Sequence, residues 1–439
     1  MAKKVKVGLV GFGTVGSGVA KILVEQRADI SAKTGLDIEL VRVVDLDTTT
    51  QRPVTLPAGV LTSDINTIYS DSSIDIAVEL VGGTTFAKDL QLKLLNGGKN
   101  VVTANKALLA KYGVELYETA RKNGKCIAFE ASCAGGIPVI SALRTGLVAN
   151  RIQKIYGILN GTCNYILTSM AKNGEDFPVA LAAAQKLGYA EADPTLDING
   201  GDSGHKLAIL ASIAFGYEIE VEDIYVEGIQ SISIDDIRRG EEMGYALKLL
   251  GIAELADDGR IWLRVVPAFV ADDEMIAQVN GPFNAISIFG SSVGHTMFYG
   301  RGAGMMPTAS AVVADIIEVA NGNSKRLFDS LAMRSNEQAK KVIADVKDLD
   351  TRFYIRLNAL DKPGVFAAVA DILAKCNISI SGALQHEGHA PENYVPLVIT
   401  THKTTQREIE KAIATICERN IVADKPVCIQ IVDIPEDNV

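Results

Sequence analysis

The sequence predicts an α/β protein in three parts: a doubly wound parallel sheet, a mixed α+β middle, and a small ferredoxin-like unit after it. Three observations carry this. Strand-like and helix-like segments alternate through residues 1–130, the rhythm of parallel strands joined by crossover helices. A glycine-rich turn follows the first of those strands. Residues 351–435 read in the order β-α-β-β-α-β, a split βαβ pattern.

The elements follow in order. Lys4–Val10 reads as a buried strand, and the next helix carries Val19, Ile22 and Leu23 on one face. Ile38–Val44 is a second strand ending at Asp45. Ile74–Leu80 and Asn100–Val102 are further short apolar runs bounded by turn residues. In the middle part, Val179–Leu187, His205–Phe215 and Gly240–Leu250 read as helices, and Ile261–Val266, Ala285–Phe289 and His295–Tyr299 as strands. Thr308–Ala320 reads as a helix returning to the first sheet. Ala344–Thr351 is a charged linker expected at the surface. Beyond it, FYIRLNAL is a strand, Phe366–Cys376 a helix, ISISGAL and YVPLVITT two strands, Thr405–Glu418 a helix and VCIQIVD a last strand. Thr405-Gln406-Arg407-Glu408 has the form of a capping box.

The bulk numbers narrow the function. A chain of 439 residues, 48% hydrophobic and 22% charged, holds several globular cores. A net charge of −10 without a basic block argues against nucleic acid and anionic membranes as partners. No apolar run is long enough for a bilayer, and the glycines in MAKKVKVGLVGFG break its likeness to a signal peptide. Six scattered cysteines without ligand spacing fit reduced thiols in a cytoplasm. The five histidines, His205, His295, His386, His389 and His402, form no ligand motif.

Gly11-Phe12-Gly13-Thr14-Val15-Gly16 lies between a strand and a helix, which makes this GxGxxG a dinucleotide fingerprint of the Rossmann type. Gly11 suits the tight turn, Gly13 admits a pyrophosphate, and Gly16 permits close helix packing. The helix N-terminus offers free N–H groups to the phosphates. Asp45 stands where an acid binds the ribose hydroxyls of NAD, while Arg42 and Arg52 stand where a cation meets the 2′-phosphate of NADP. The choice between the two cofactors stays open.

Five stretches carry a family resemblance: VVTANKALLA (101–110), FEASCAGGIP (129–138), GILNGTCNYIL (157–167), LGYAEADPTLDINGGDSGHK (187–206) and MFYGRGAGMMPTA (297–309). Together they resemble homoserine dehydrogenase in the form that carries a C-terminal ACT domain. The resemblance implies NAD(P)-dependent interconversion of L-aspartate 4-semialdehyde and L-homoserine, in threonine, methionine and isoleucine biosynthesis. It implies a Rossmann domain over 1–130 completed by about 307–345, a substrate-binding, catalytic and dimerisation domain over 131–306, and an ACT domain over 351–435. A homodimer or homotetramer is expected.

The resemblance also implies site residues. Glu191 and Asp202 bind the substrate, with Gly188 in the same loop and Asp197 as a catalytic-site partner. Lys206 and Lys106 are the catalytic candidates, with Lys206 expected as acid/base and Lys106 as electrostatic partner. An aldehyde being reduced needs hydride on carbon and a proton on oxygen, and an ammonium supplies the second. Spacing alone allows a plain i,i+4 salt bridge between Asp202 and Lys206. Asp193, before Pro194, is read as a turn residue. Thr103, Lys106 and Gly302 join the glycine loop at the cofactor. Glu130, Cys133, Gly135 and Ile137 match a monovalent-cation loop, with Na+ the expected ion held by one carboxylate and backbone carbonyls. In the C-terminal unit, Asp361–Val365 and Asn377 mark the expected effector turn, with L-threonine the expected ligand. Two other readings exist: an amino-acid sensor without turnover, and an acylating semialdehyde dehydrogenase using Cys133 as nucleophile.

Overall fold

The computed structural model describes residues 2–331, 341–385 and 394–435. The chain divides into two compact units. The first holds residues 1–155, 202–223 and 283–341; the second holds 156–201, 224–282 and 342–439. His386 and His389 lie outside the described residues. Among the described residues, no helix is long and apolar enough to cross a membrane.

The first unit is built on a parallel sheet of β1 (Lys3–Val10), β2 (Leu36–Val44), β3 (Leu61–Thr62), β4 (Ile76–Glu79), β5 (Asn100–Thr103) and β6 (Ile127–Ala128). Their order is β3-β2-β1-β4-β5-β6. The chain runs outward from β1 to β3, then restarts beside β1 and runs the other way. The carboxyl ends of β1 and β4 therefore form the switch point where ligands of such sheets bind. Val7, Leu9, Val43, Val78 and Val101 are fully buried, as expected of strands covered on both faces. The helix Thr14–Glu25 buries Val19, Ile22 and Leu23, the face read from its spacing. The helix Met305–Ala320 packs against it, and a Cβ on Gly18 would stand 2.9 Å from that of Ala309. Phe283–Gly290 and Gly294–Arg301 form an antiparallel hairpin in the same unit.

In the second unit, Tyr245–Leu255 and Arg260–Ala271 pair as a long antiparallel hairpin. This corrects the helix read over Gly240–Leu250. The helix here is Ile234–Glu242, Gly244 takes φ +79°, and a strand begins at Tyr245. Residues 247–253 are buried on both faces, so their run, apolar apart from Lys248, carried no period that separates strand from helix.

The β-α-β-β-α-β order read for the C-terminal part is present. Its core joins Ile355, Leu357, Val369, Ile372, Leu397 and Ile409. Val427–Ile431 pairs antiparallel with Arg352–Leu360 and parallel with Arg260–Ala271. The C-terminal sheet thus continues into the hairpin, which sequence reading did not foresee. The buried Asp236 accepts from Arg356 Nε at 2.6 Å and from the Tyr354 hydroxyl at 3.3 Å. The segment expected as an exposed linker is partly buried, at Val346 and Thr351, and Arg407 pairs with both Asp345 and Asp348. Thr405 Oγ1 accepts from the Glu408 N–H at 3.4 Å.

Candidate active site

At the switch point, Gly11 takes φ +98°, and a Cβ there would lie 2.6 Å from the Leu80 carbonyl oxygen. Only glycine fits both demands. A Cβ on Gly16 would stand 2.0 Å from the Gly11 carbonyl oxygen. Above Gly13 nothing lies within 4 Å of a built Cβ, and Gly13 and Thr14 are exposed. The helix beginning at Thr14, with Val15 in its first turn, has no side-chain cap. Its first N–H groups are therefore available to an anion. Asp45 Oδ2 accepts from the Phe12 N–H at 2.5 Å, and its Oδ1 accepts from that of Asp47 at 2.9 Å. Arg42 donates to the Gly59 carbonyl at 2.7 Å. Arg52 pairs with Asp47 at 3.2 Å and lies 5.9 Å from the Phe12 ring centre. The residues present fit a dinucleotide.

Lys106 opens the helix Lys106–Lys122, just beyond β5. Asn105 caps that helix by accepting from the Leu108 N–H at 3.1 Å. Asp202 and Lys206 share the helix Gly201–Phe215. This helix starts earlier than the sequence suggested, so Lys206 sits in its second turn rather than at its start. Asp202 Oδ1 lies 3.0 Å from Lys106 Nζ, and Oδ2 lies 2.8 Å from Lys206 Nζ. Side-chain exposure is 7% for Asp202, 10% for Lys206 and 32% for Lys106. The i,i+4 pair is thus a buried bridge shared with a second lysine, not a solvated one. His205 stands beside it; burial, then the charge of Lys106, lower its pKa. Its Nδ1 is buried without a hydrogen-bond partner among the described residues.

Cys133 is fully buried, its thiol facing the Lys206 carbonyl oxygen at 3.7 Å. Burial pushes that thiol up to about 12, so it is no nucleophile at neutral pH. Glu130 Oε1 accepts from the Ile140 N–H at 2.9 Å and Oε2 from that of Ser141 at 2.7 Å. Burial raises the Glu130 pKa to about 7 against those amides. Asp315, on the helix Met305–Ala320, accepts from the Glu130 N–H at 2.8 Å. Its own pKa is raised, chiefly by burial and then by the charge of Glu130. Ala134 and Gly135 turn the loop through φ +54° and +42°, and a Cβ on Gly135 would lie 2.6 Å from the Gly302 carbonyl oxygen. Ile137 is buried, and its carbonyl accepts from the Val139 N–H at 2.8 Å. Among the described residues no His, Cys, Asp and Glu group is arranged for a metal. A cation at this loop would draw on carbonyl oxygens and the remaining lone pairs of Glu130.

The second unit carries Gly188, Glu191 and Asp197. Gly188 takes φ +74° and Glu191 is exposed. Asp197 Oδ1 accepts from Asn160 Nδ2 at 2.8 Å, while Asn160 Oδ1 caps the helix Gly161–Asn173. Asp193 Oδ1 accepts from the Thr195 N–H at 3.1 Å, a turn contact. Sequence reasoning missed Asn160 and Asp315. One signal for Asp315 existed: with Glu318 it is one of two carboxylates within the otherwise apolar run SAVVADIIEVA.

Profile matches cover most of the chain. Residues 11–130 match "Homoserine dehydrogenase, NAD binding domain", residues 138–317 match "Homoserine dehydrogenase", and residues 353–419 match "ACT domain". A homoserine dehydrogenase of Pseudomonas aeruginosa is 42% identical over 94% of this chain and 95% of its own. The chain belongs to the homoserine dehydrogenase family. A crystal structure of a homoserine dehydrogenase from Thiobacillus denitrificans is similar, with a TM-score of 0.89, 42% identity, and coverage of 98% of this chain and 99% of that one. The Staphylococcus aureus homoserine dehydrogenase at pH 8.5 gives a TM-score of 0.76 at 31% identity, covering 98% and 100%. Membership makes this an NAD(P)-dependent oxidoreductase of homoserine with an ACT domain. It excludes the sensor without turnover and the acylating thiol enzyme.

Proposed function

We propose that Lys206 carries the substrate's hydroxyl proton and that Lys106 steadies the charge developing on that oxygen. The observation that supports this is the bridge in which Asp202 holds both ammonium groups, at 3.0 and 2.8 Å, in a site largely closed to water. The bound nicotinamide supplies the hydride acceptor and donor. During homoserine oxidation, Lys206 in its neutral form takes the proton from the hydroxyl oxygen. During aldehyde reduction its ammonium returns that proton. Lys106 lowers the cost of the oxyanion without transferring a proton. Glu191 and Asp202 bind the substrate ammonium through charge-assisted hydrogen bonds, a role carried over from the family resemblance. Asp197 assists at the catalytic site, Gly188 gives the binding loop its turn, and Thr103 and Gly302 approach the cofactor.

The finer assignments rest on the same footing. The domains divide as 1–130 with about 307–345, 131–306 and 351–435. Na+ binds the loop of Glu130, Cys133, Gly135 and Ile137. L-Threonine is the effector, bound where Gly364 starts the helix Val365–Lys375 at φ +92°. The Arg356–Asp236 contact, at 2.6 Å, supports a route from the ACT strands to the middle of the chain. The enzyme works in the cytoplasm as a homodimer or homotetramer, a setting that six unbridged cysteines support.

The test is absorbance at the reduced-nicotinamide band with L-homoserine in phosphate-free buffer, run with NAD and with NADP. Turnover with at least one cofactor is expected, falling when choline replaces Na+. No turnover without phosphate would overturn the reading.

A further inference from the structure

A fully buried carboxylate lies at the switch point and belongs to none of the roles above. Glu79 ends β4, beside Val10 of β1, with no exposed surface. Its oxygens accept from Thr103 Oγ1 at 2.8 Å, Gln91 Nε2 at 2.9 Å and the Val81 N–H at 3.0 Å. Among the described residues no cation pairs with it. A buried charge without a counter-ion is costly, so its three donors must be held firmly for it to persist.

Those donors lead to Lys106. The Thr103 hydroxyl donates a hydrogen bond to Glu79 and accepts from the Asn105 N–H at 3.0 Å. Asn105 caps the helix that Lys106 begins, and its side-chain amide donates to the Gly83 carbonyl at 2.7 Å. In the other direction, Val81 follows Leu80, whose carbonyl lies against Gly11. One carboxylate therefore ties the glycine loop, the segment after β4 and the first residue of the Lys106 helix together.

We propose that Glu79 is a positioning residue that sets Lys106 relative to the nicotinamide seat. This rests on the role proposed for Lys106. Acceptors alone satisfy this node. Glu79→Gln keeps the shape but turns an amide N–H₂ toward other donors, which frees Thr103 and lets the start of the helix drift. A displacement of about 1 Å at a reacting group costs up to about a hundredfold in rate.

The experiment is a double-mutant cycle on the full chain, combining E79Q with K106A. Steady-state kinetics with L-homoserine would be read beside cofactor affinity from fluorescence titration. E79Q is expected to lower kcat about tenfold or more with cofactor affinity nearly unchanged. In the K106A background the same change is expected to cost almost nothing, because the group it positions is gone. If the two losses multiply, or E79Q keeps the kcat of the parent, Glu79 does not act through Lys106 and the proposal falls alone. If K106A itself keeps full kcat, the role of Lys106 falls first. Should E79Q fail to fold, Gln91→Met removes one of the donors that hold Glu79; its loss in kcat is likewise expected to vanish in the K106A background, and a loss that persists there overturns the proposal.

Discussion

The molecule buries two lysines in opposite ways. Lys206 is 8% exposed and meets Asp202 at 2.8 Å, with Lys106 on the same carboxylate. Lys248, in the strand Tyr245–Leu255, is 3% exposed and, among the described residues, meets the Val279 carbonyl at 2.7 Å and Asn280 Oδ1 at 3.4 Å. Burial, and then the charge of Lys172, push the Lys248 pKa down to about 8. Among the described residues the first lysine is supplied with an anion and the second is not. An ammonium that must exchange a proton with substrate needs its charged form kept within reach. A lysine that only fills a buried position in an interior strand has no such need.

The sharpest way to break this comparison is to remove each amine. Lys206→Ala is expected to reduce kcat for homoserine by about 10²–10⁴-fold, with cofactor affinity retained. Steady-state rates and cofactor titration would check both. A rate within a few-fold of the parent would make Lys206 another Lys248, buried for structure.

Asp202→Asn sharpens the contrast by making the two sites alike. It leaves two ammonium groups side by side without their shared anion. A fall in kcat/KM of about tenfold to a hundredfold is expected. Steady-state kinetics with L-homoserine check it, and a kcat/KM within about twofold of the parent would mean that the shared anion is not needed.

These two lysines also measure how much a sequence discloses. The glycine loop was readable because each glycine answers a local demand, as the built contacts at Gly11 and Gly16 do. Lys206 was readable as a candidate through the family resemblance, since its spacing from Asp202 on one helix equally allowed a plain salt bridge. Its bridge to Lys106 was not readable, since a helix far along the chain had to bring Asp202 back to the end of β5. Glu79 was hidden for the same reason. Its partners Gln91 and Thr103 are 12 and 24 residues away and meet it only through a crossover helix and the parallel sheet. The strand that holds Lys248 was misread as helix, because burial on both faces erased the alternation that marks a strand.

The smallest effect on turnover, and a clear effect on stability, belongs to Lys248→Met. The parent's folded state holds this amine at about 8 against an ordinary 10.5. Between those values the unfolded chain binds more protons than the folded one, so stability rises with pH across that window. Below about pH 8 the folded state carries the whole cost of the buried charge, at most about 3 kcal/mol for a shift of this size. Methionine has nearly the same reach and no charge, and the Val279 carbonyl still accepts from Asn164 at 3.2 Å. The variant should therefore be more stable than the parent at pH 7, by about 1–2 kcal/mol once the lost lysine hydrogen bond is counted. That advantage should vanish or reverse by pH 10.5. Urea unfolding at the two pH values reads the difference directly, while kcat should change less than about twofold. If the gap between parent and variant does not narrow as pH rises, the amine is charged in the fold throughout. Lys248 would then share the electrostatic condition of Lys206 despite lacking its carboxylate.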